Sequence, residues 1–503
     1  MKNIAIIGGG ANGISTFIEL FIQIVTAKLQ NKVSITLIEK DKKLGYGLAF
    51  GTPQPGHILN TQANLMGIFA NEPAHFADWL KNNGGKHRAD VKVDHDMDNA
   101  YTTRKLYGDY IAEQANTYLK RAKKHHLSVK VIHSEAMDIS RYKKDYEITF
   151  SDQTSLKANY IVLTLGTPKP STFKSLIQFP TYLDFPWPTS RIKEKIPSTS
   201  HVGVLGTSLS AIDCVMTLLD HGHKGKISLF SPDGMLPRAQ PIEQGEFERK
   251  HLTLENIHKI KRKSLSKPQV KTLIRLFMKE VEHYEGQPVD WKSMDRAGKS
   301  PKDLLEWDIA CAEKGGDALM NVSYSLRYDS STIWSWMDTD QKVLFKKWIG
   351  SQWAINRHPT PLHNAKKLLR LFQKGQLNVH SMKSPDAVTP NGSGFSIMTD
   401  KEEAIEPAFL INATGSSSAL ENMDGELIQN LLQKEYLSPY AVGGALINER
   451  TMQIISPKGG DGIYAVGHLA NGLLMDVNAV WYNVRTIGTL AKDLVFRLQE
   501  KDA

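Results

Sequence analysis

Along the first forty residues the apolar positions change period twice. Residues 3–7, NIAII, are a short unbroken apolar run; GGGANG follows at 8–13; STFIELFIQIVTAKL then carries apolar residues at helical spacing. VSITLIEK at 33–40 is rich in β-branched residues and ends on an acid. Strand, glycine turn, helix and strand in that order predict a βαβ unit at the very start of the chain.

The same alternation returns farther on. Helical stretches are predicted around HFADWLKNN from His75 and RKLYGDYIAEQANTYLKRAKKHH from Arg104. From Ser128 the period falls to two, and SVKVIH, AMDISRY, YEITF and YIVLTLG read as successive short strands closing on Gly166. A second βαβ unit begins at HVGVLGTSLSAIDCVMTLLDHGHKGKISLF from His201. After a largely helical insertion at about 240–350, LNVHSM, GFSIMT and FLINATG repeat the strand succession and close on Gly415. Near the C-terminus a strand, GIYAVG, leads to a helix with Val477, Val480, Val484, Ile487, Ala491 and Leu494 on one face. The pattern predicts an α/β protein with two Rossmann-like three-layer dinucleotide-binding domains, β-meander insertions and a helical insertion. Residues 1–200 are expected to form the N-terminal part of the first domain, 201–400 the second, and 401–503 a return to the first.

The glycines give the first unit its chemistry. In G-x-G-x-x-G, Gly8 permits a tight turn, Gly10 lets backbone amides reach a pyrophosphate at the positive end of the helix, and Gly13 lets helix press on strand. Glu39, at the tip of the second strand, is placed to accept hydrogen bonds from an adenosine ribose. The second unit reads G-x-S-x-S-A, with Gly206, Ser208, Ser210 and Ala211 at the corresponding places. Its second strand ends on Phe230 and Ser231 without an acid, and Arg238 follows, which favours a 2′-phosphate and hence NADPH over NADH. A second turn that binds nothing is the alternative. The apolar strands that close on Gly166 and Gly415 bring backbone close to whatever lies at the sheet edge.

One loop stands apart. Between Lys43 and Glu72 the chain has no Asp, Glu, Lys or Arg, although it is full of Gly, Asn, Gln and Thr. A loop without charge but rich in hydrogen-bonding groups is either buried by protein or folded around a ligand.

Composition narrows the class. At 503 residues the chain exceeds one core, and 41% hydrophobic with 23% charged residues is ordinary for a globular protein. A net charge of +9 favours anionic partners only weakly. The densest basic run, from His258, has apolar residues at helical spacing and reads as the solvated face of an amphipathic helix, so no nucleic-acid partner is expected. Cys214 and Cys311 are far apart and form no C-x-x-C, which excludes a disulfide framework and a dithiol redox centre and fits a reduced, cytoplasmic compartment. No uninterrupted apolar run is long enough to span a bilayer, and no histidine pattern calls for a metal.

With these residues in view the chain resembles the YdhS-like FAD/NAD(P)-binding proteins over nearly its whole length. The resemblance rests on Gly8, Gly10 and Gly13, GYGLAFGTP with HILNTQANLM, HFADWL, RKLYGDYI, LGTSLSAID with GMLPRA, WAINRHPTP, and IYAVGHLANGLLMD. More distantly it is similar to flavin-dependent N-hydroxylating monooxygenases of amino acids. The resemblance implies contacts with the bound cofactors, FAD foremost, at Gly8, Gly10, Ala11, Asn12, Gly13, Glu39, Lys40, Gly45, Tyr46, Gly47, Asn60, Gly166, Gly415, Gly467 and Asp476. It implies a nicotinamide dinucleotide on Gly206, Ser208, Ser210 and Arg238, and an uncharged loop that curls along the flavin ring. The chain departs from the family at Pro359, where Arg-His-Arg is usual, and at Ser208 in place of glycine. Many flavoprotein reductases carry an aspartate for the ribityl chain where this one reads Gly467-His468.

Lacking a dithiol, such a flavoprotein hands its electrons to O2, to a soluble acceptor or to a partner. The first reading is a monooxygenase working through a flavin hydroperoxide on a small amine or amino-acid-like substrate. Asn60 would hold the nicotinamide amide, His57 would donate a proton, and Arg357 with His358 would bind a substrate carboxylate. A reductase or diaphorase is the second reading, and a flavin-bearing binding or signalling protein the third. A homo-oligomer is compatible with all three.

Overall fold

The computed structural model describes residues 1–92, 96–242, 247–382, 384–458 and 460–500. The strands of two five-stranded sheets are β1 (Lys2–Ile7), β2 (Val33–Ile38), β3 (Ser128–Ile132), β4 (Tyr160–Leu163), β5 (Tyr182–Leu183), β6 (Val202–Leu205), β7 (Ile227–Ser231), β8 (Leu377–Ser381), β9 (Phe409–Asn412) and β10 (Ile463–Ala465). Three helices matter for the sites: α1 (Ala11–Thr26), α2 (Leu209–Asp220) and α3 (Val480–Glu500).

The first sheet has the order β10-β4-β1-β2-β3, and every neighbouring pair is parallel. Such a sheet is covered on both faces, so its strands are continuous apolar runs: Ile4, Ala5 and Ile6 of β1 and Ile161, Val162 and Leu163 of β4 are fully enclosed. In α1, Ile14, Phe17, Ile18 and Phe21 form the buried stripe, and α3 lies against this helix. Val480, Val484, Ile487, Ala491 and Leu494 are buried on α3 as their spacing predicts; Val477 is buried just ahead of the helix. An antiparallel meander, Ala136–Tyr142, Asp145–Phe150 and Ser155–Ala158, interrupts this unit. SVKVIH, grouped by its sequence with that meander, is instead β3 of the parallel sheet.

The second sheet, β5-β9-β6-β7-β8, is parallel throughout. Its core joins Val202, Val204, Ile227 and Leu229 of the strands to Ile212, Val215 and Met216 of α2. The strands Val388–Asn391, Gly394–Met398 and Ala404–Ile405 make the second meander. The helical insertion contains Leu254–Ser264, Val270–Glu285, Pro301–Ala312, Ala318–Ser325, Ser330–Trp336 and Thr339–Arg357; residues 243–246 of this segment lie outside the described ones. Its basic run presents Lys259, Lys261, Arg262 and Lys263 to solvent while Ile257 and Val270 face inward, an amphipathic helix face.

Contacts divide the chain into two units. One comprises Met1–Pro55, Thr61–Lys169 and the chain from Ser416 onward; the other comprises Gly56–Asn60 and Pro170–Gly415. Residues 170–200 and 401–415, placed by sequence with the N-terminal and C-terminal segments, supply β5 and β9 to the second sheet. Among the described residues no helix is long and apolar enough to cross a membrane.

Candidate dinucleotide-binding sites

In the first sheet the chain leaves β1 toward β2 on one side and β4 on the other, so the crevice at the C-terminal ends of β1 and β4 is a topological switch point. Gly8 sits there with φ +109°, a conformation L side chains rarely adopt, and its N–H donates to Ile38 O at 2.8 Å. A Cβ on Gly13 would stand 1.8 Å from Gly8 O, so this glycine is demanded by the protein itself. Gly10 differs: a Cβ there would find nothing nearer than Gly47 Cα at 3.7 Å. Its missing side chain leaves room over the first turn of α1, where Ala11 and Asn12 present backbone amides. That turn has no acidic residue and no side-chain cap at Gly10, so its N–H groups and dipole are free for an anion. These residues fit a pyrophosphate. Thr164, which sequence reasoning passed over, pins the turn by donating Oγ1 to Gly8 O at 2.7 Å and to Ile7 O at 2.9 Å.

Glu39 follows β2 and is buried; Oε2 accepts the Gly9 N–H at 2.6 Å and Oε1 the Asp41 N–H at 3.0 Å. A carboxylate keeps lone pairs beyond these two bonds, so ribose hydroxyls remain within its chemistry. Lys40 lies on the surface and pairs with Glu135 at 3.4 Å. Gly45, at φ +94°, donates its N–H to Gly9 O at 2.7 Å, and Gly47 stands against Gly10. Between them Tyr46 donates its hydroxyl to Asp109 at 2.7 Å, and burial together with that carboxylate pushes its pKa up to about 12.

Gly467 ends the turn after β10 at φ +73°, and a Cβ there would stand 2.6 Å from Asn12 Nδ2. This places β10's exit beside the first turn of α1. His468 is buried with Nε2 at 3.2 Å from Ser417 O, and burial lowers its pKa. Asp476, 3% exposed, accepts the Ala479 N–H through its backbone oxygen just ahead of α3. Gly166 and Gly415 are exposed, with open space where a Cβ would be.

The second unit repeats the backbone bonds of the first turn. Gly206 has φ +115°, its N–H donates to Phe230 O at 2.6 Å, and Ala413 N donates to Leu205 O as Thr164 N does to Ile7 O. Ser208 takes the helix-cap position at φ −83°, ψ −171°, against −75° and −165° for Gly10. The Ser208 hydroxyl is exposed and makes no cap bond, Ser210 lies in the first turn of α2, and that turn carries no acid. Sequence reasoning also missed Thr207, whose hydroxyl donates to Ser231 Oγ at 3.0 Å; the match between IVLTLG and LINATG was the available sign that the two turns are built alike.

Three expectations change. Arg238 is 1% exposed, bonded through Nε to Asp308 at 2.8 Å and through Nη2 to Asp317 at 2.6 Å, with Asn356 on Nη1 at 3.2 Å. Arg296 shares Asp308, so the guanidinium closes a buried network and has no face left for a 2′-phosphate. His57 is wholly enclosed, its Nε2 at 3.0 Å from Asp213 O and 2.9 Å from Thr217 Oγ1 of α2. Gly56 N donates to Asp220 at 2.9 Å and Gly56 O accepts from Asn364 at 3.0 Å, so this segment is an anchor on α2 and not a place for a proton donor. The uncharged loop owes much of its composition to burial, since Gln54, His57, Ile58, Leu59 and Gln62 are all enclosed by protein. Asn60 and Arg357 are half-buried, Arg357 and His358 at the end of the helix Thr339–Arg357 with the Arg357 charge near Tyr324. Cys214 and Cys311 are free thiols, and burial pushes both upward in pKa.

The class these features define is an α/β protein with an FAD/NAD(P)-binding domain. Residues 5–168 match the family model described as FAD-NAD(P)-binding. The chain is similar to the uncharacterized protein YdhS of Escherichia coli (strain K12), at 26% identity over 454 residues, 80% of each chain. Among solved structures it is similar to the reduced form of ornithine hydroxylase PvdA from Pseudomonas aeruginosa, with TM-score 0.59 and 12% identity over 99% of this chain and 100% of that one. The ornithine N-hydroxylase KtzI of Kutzneria sp. 744, with reduced FAD, NADP+ and L-ornithine, gives TM-score 0.57 and 14% identity over 99% and 100%. The fold is thus that of flavin-dependent N-hydroxylating monooxygenases.

Proposed function

We propose that this protein is an FAD-dependent, NAD(P)H-using monooxygenase acting on a small amine or amino-acid-like substrate. The observation that carries the reading is the pair of matched glycine turns, Gly8 to Gly13 and Gly206 to Ala211. Each stands at the switch point of its own parallel sheet, before a helix whose first turn lacks an acid. Bound FAD would supply the redox and oxygen chemistry. The chain's own part is binding and orientation. The amides of α1 meet the pyrophosphate, Glu39 the ribose, and the segment Gly45–Gly47 closes over Gly10. The resemblance to ornithine hydroxylases supports an amine substrate, whose carboxylate Arg357 would receive through two parallel N–H bonds. Asn60, at the edge of the anchored segment, would contact the nicotinamide amide.

The test is substrate-stimulated oxygen uptake by FAD-loaded protein over a panel of amino acids and polyamines. NAD(P)H oxidation coupled to a hydroxylated amine, with peroxide release falling as the amine is added, supports the reading. Fast reduction of artificial acceptors without oxygen use would replace it with a reductase.

A further inference from the structure

The hydrogen bonds of the two turns set their residues in register. Gly8 donates to Ile38 O and Gly206 to Phe230 O, so the residue after each acceptor is Glu39 in the first unit and Ser231 in the second. This is the position that reads the 2′ substituent of the adenosine ribose. Ser231 Oγ is held there by Thr207 Oγ1 at 3.0 Å and by the Gly234 N–H at 3.1 Å, in a tight turn that Gly234 completes at φ +59°. A 2′-phosphate calls for a cation close behind the strand. The segment PDGMLP at 232–237 supplies none, and Arg238, the first arginine after it, is closed inside the network with Asp308 and Asp317. The charge it does supply is negative: Asp233 is exposed, two residues past the strand end, as Asp41 is past Glu39.

We propose that the second nucleotide site takes NADH in preference to NADPH, with Asp233 as the residue that discriminates. This rests on the reading of that turn as a nicotinamide dinucleotide site and deepens it. It reverses the expectation drawn from Arg238 in the sequence. A carboxylate two residues past the strand end repels a phosphate carried at the 2′ position and leaves a free hydroxyl undisturbed. Ser231, already held by two donors, adds no positive charge to compensate.

The experiment uses FAD-saturated protein, so that the first site is filled, and measures NAD+ and NADP+ binding by isothermal calorimetry. NAD+ is expected to bind about fivefold tighter, the size of a repulsion between one carboxylate and a phosphate dianion about 8 Å apart in water. Asp233→Asn is expected to narrow the ratio and Asp233→Lys to reverse it; the side chain is exposed, so both variants fold. Tighter NADP+ binding by the unaltered protein, or a ratio that Asp233→Lys leaves unmoved, would overturn the proposal. Binding of neither nucleotide would overturn it together with the two-cofactor reading beneath it, and that failure is distinguishable because flavin binding would persist.

Discussion

Glu39 Oε2 accepts the backbone N–H of Gly9 at 2.6 Å, a charge-assisted bond that ties the end of β2 to the glycine turn before α1. The same carboxylate therefore shapes the turn and offers its remaining lone pairs to a ribose. Glu39→Gln removes the charge and one acceptor oxygen while keeping the shape. FAD affinity is expected to fall roughly 10- to 100-fold, as for a lost charged hydrogen bond, and the melting temperature to fall as well, since the new NH2 group faces either the Gly9 or the Asp41 N–H. Flavin fluorescence titration of apoprotein measures it.

Two glycines of the same motif should fail in different ways. Gly13→Ala puts a Cβ 1.8 Å from Gly8 O, and the resulting backbone shift is expected to cost about 3 kcal/mol of stability. Gly10→Ala meets only Gly47 Cα at 3.7 Å, so the chain should fold normally yet lose FAD, because the methyl group occupies the cofactor's approach. Urea melts beside flavin titrations separate the two outcomes; equal loss of stability in both variants would contradict the argument.

How much of this was legible beforehand depended on range. The first βαβ unit was readable because its signals are local: an apolar run, glycines at fixed offsets and an acid at the strand end all lie within 40 residues. The second turn was readable for the same reason. Arg238 misled because its partners, Asp308 and Asp317, lie 70 and 79 residues away, and no local pattern announces a buried ion network of that separation. His57 misled likewise, since Asp213 and Thr217 lie 156 and 160 residues off. The uncharged loop signalled that it was enclosed, but composition alone does not say whether protein or ligand encloses it.

Arg238 gives a prediction of its own. Arg238→Met leaves Asp308 buried at 1% exposure with only Arg296, and Asp317 without its closest cation. Removing one partner of a buried pair typically costs about 3–5 kcal/mol. Arg238→Met is expected to lower the unfolding free energy read from urea melts by that amount without changing the ratio of NAD+ to NADP+ affinity, which is the result that separates a structural arginine from a phosphate ligand.

His57 is open to a similar contrast. His57→Ala empties a fully enclosed site, and although Thr217 Oγ1 still donates to Asp213 O at 2.8 Å, the cavity and the lost imidazole contacts give an expected loss of about 2–4 kcal/mol. The pH profile of flavin reduction should be unaltered. A variant with native stability and an abolished acidic limb would instead mark His57 as a proton donor.

Acid should weaken the fold well above the carboxylate range. His75, His201, His223, His380 and His468 all have pKa values lowered chiefly by burial; Lys226 adds to the lowering at His201, as His201 and Lys401 do at His380. Above about pH 6.5, the ordinary histidine value, both folded and unfolded chains carry them neutral and their contribution is constant. As pH falls below that value the unfolded chain takes up protons that the folded chain refuses, so stability falls until the lowered folded-state values are reached. Glu19 works the other way, since burial raises its pKa and the folded chain takes up its proton first. Urea midpoints should therefore hold nearly level from pH 7.5 to about 6.5 and decline from there to 5.5. His201→Gln, which retains a polar group toward Ser228 Oγ at 2.9 Å, should flatten the decline by one histidine's share. A midpoint that stays level down to pH 5.5 would mean that folded and unfolded chains take up protons alike, so that burial does not lower the five imidazoles.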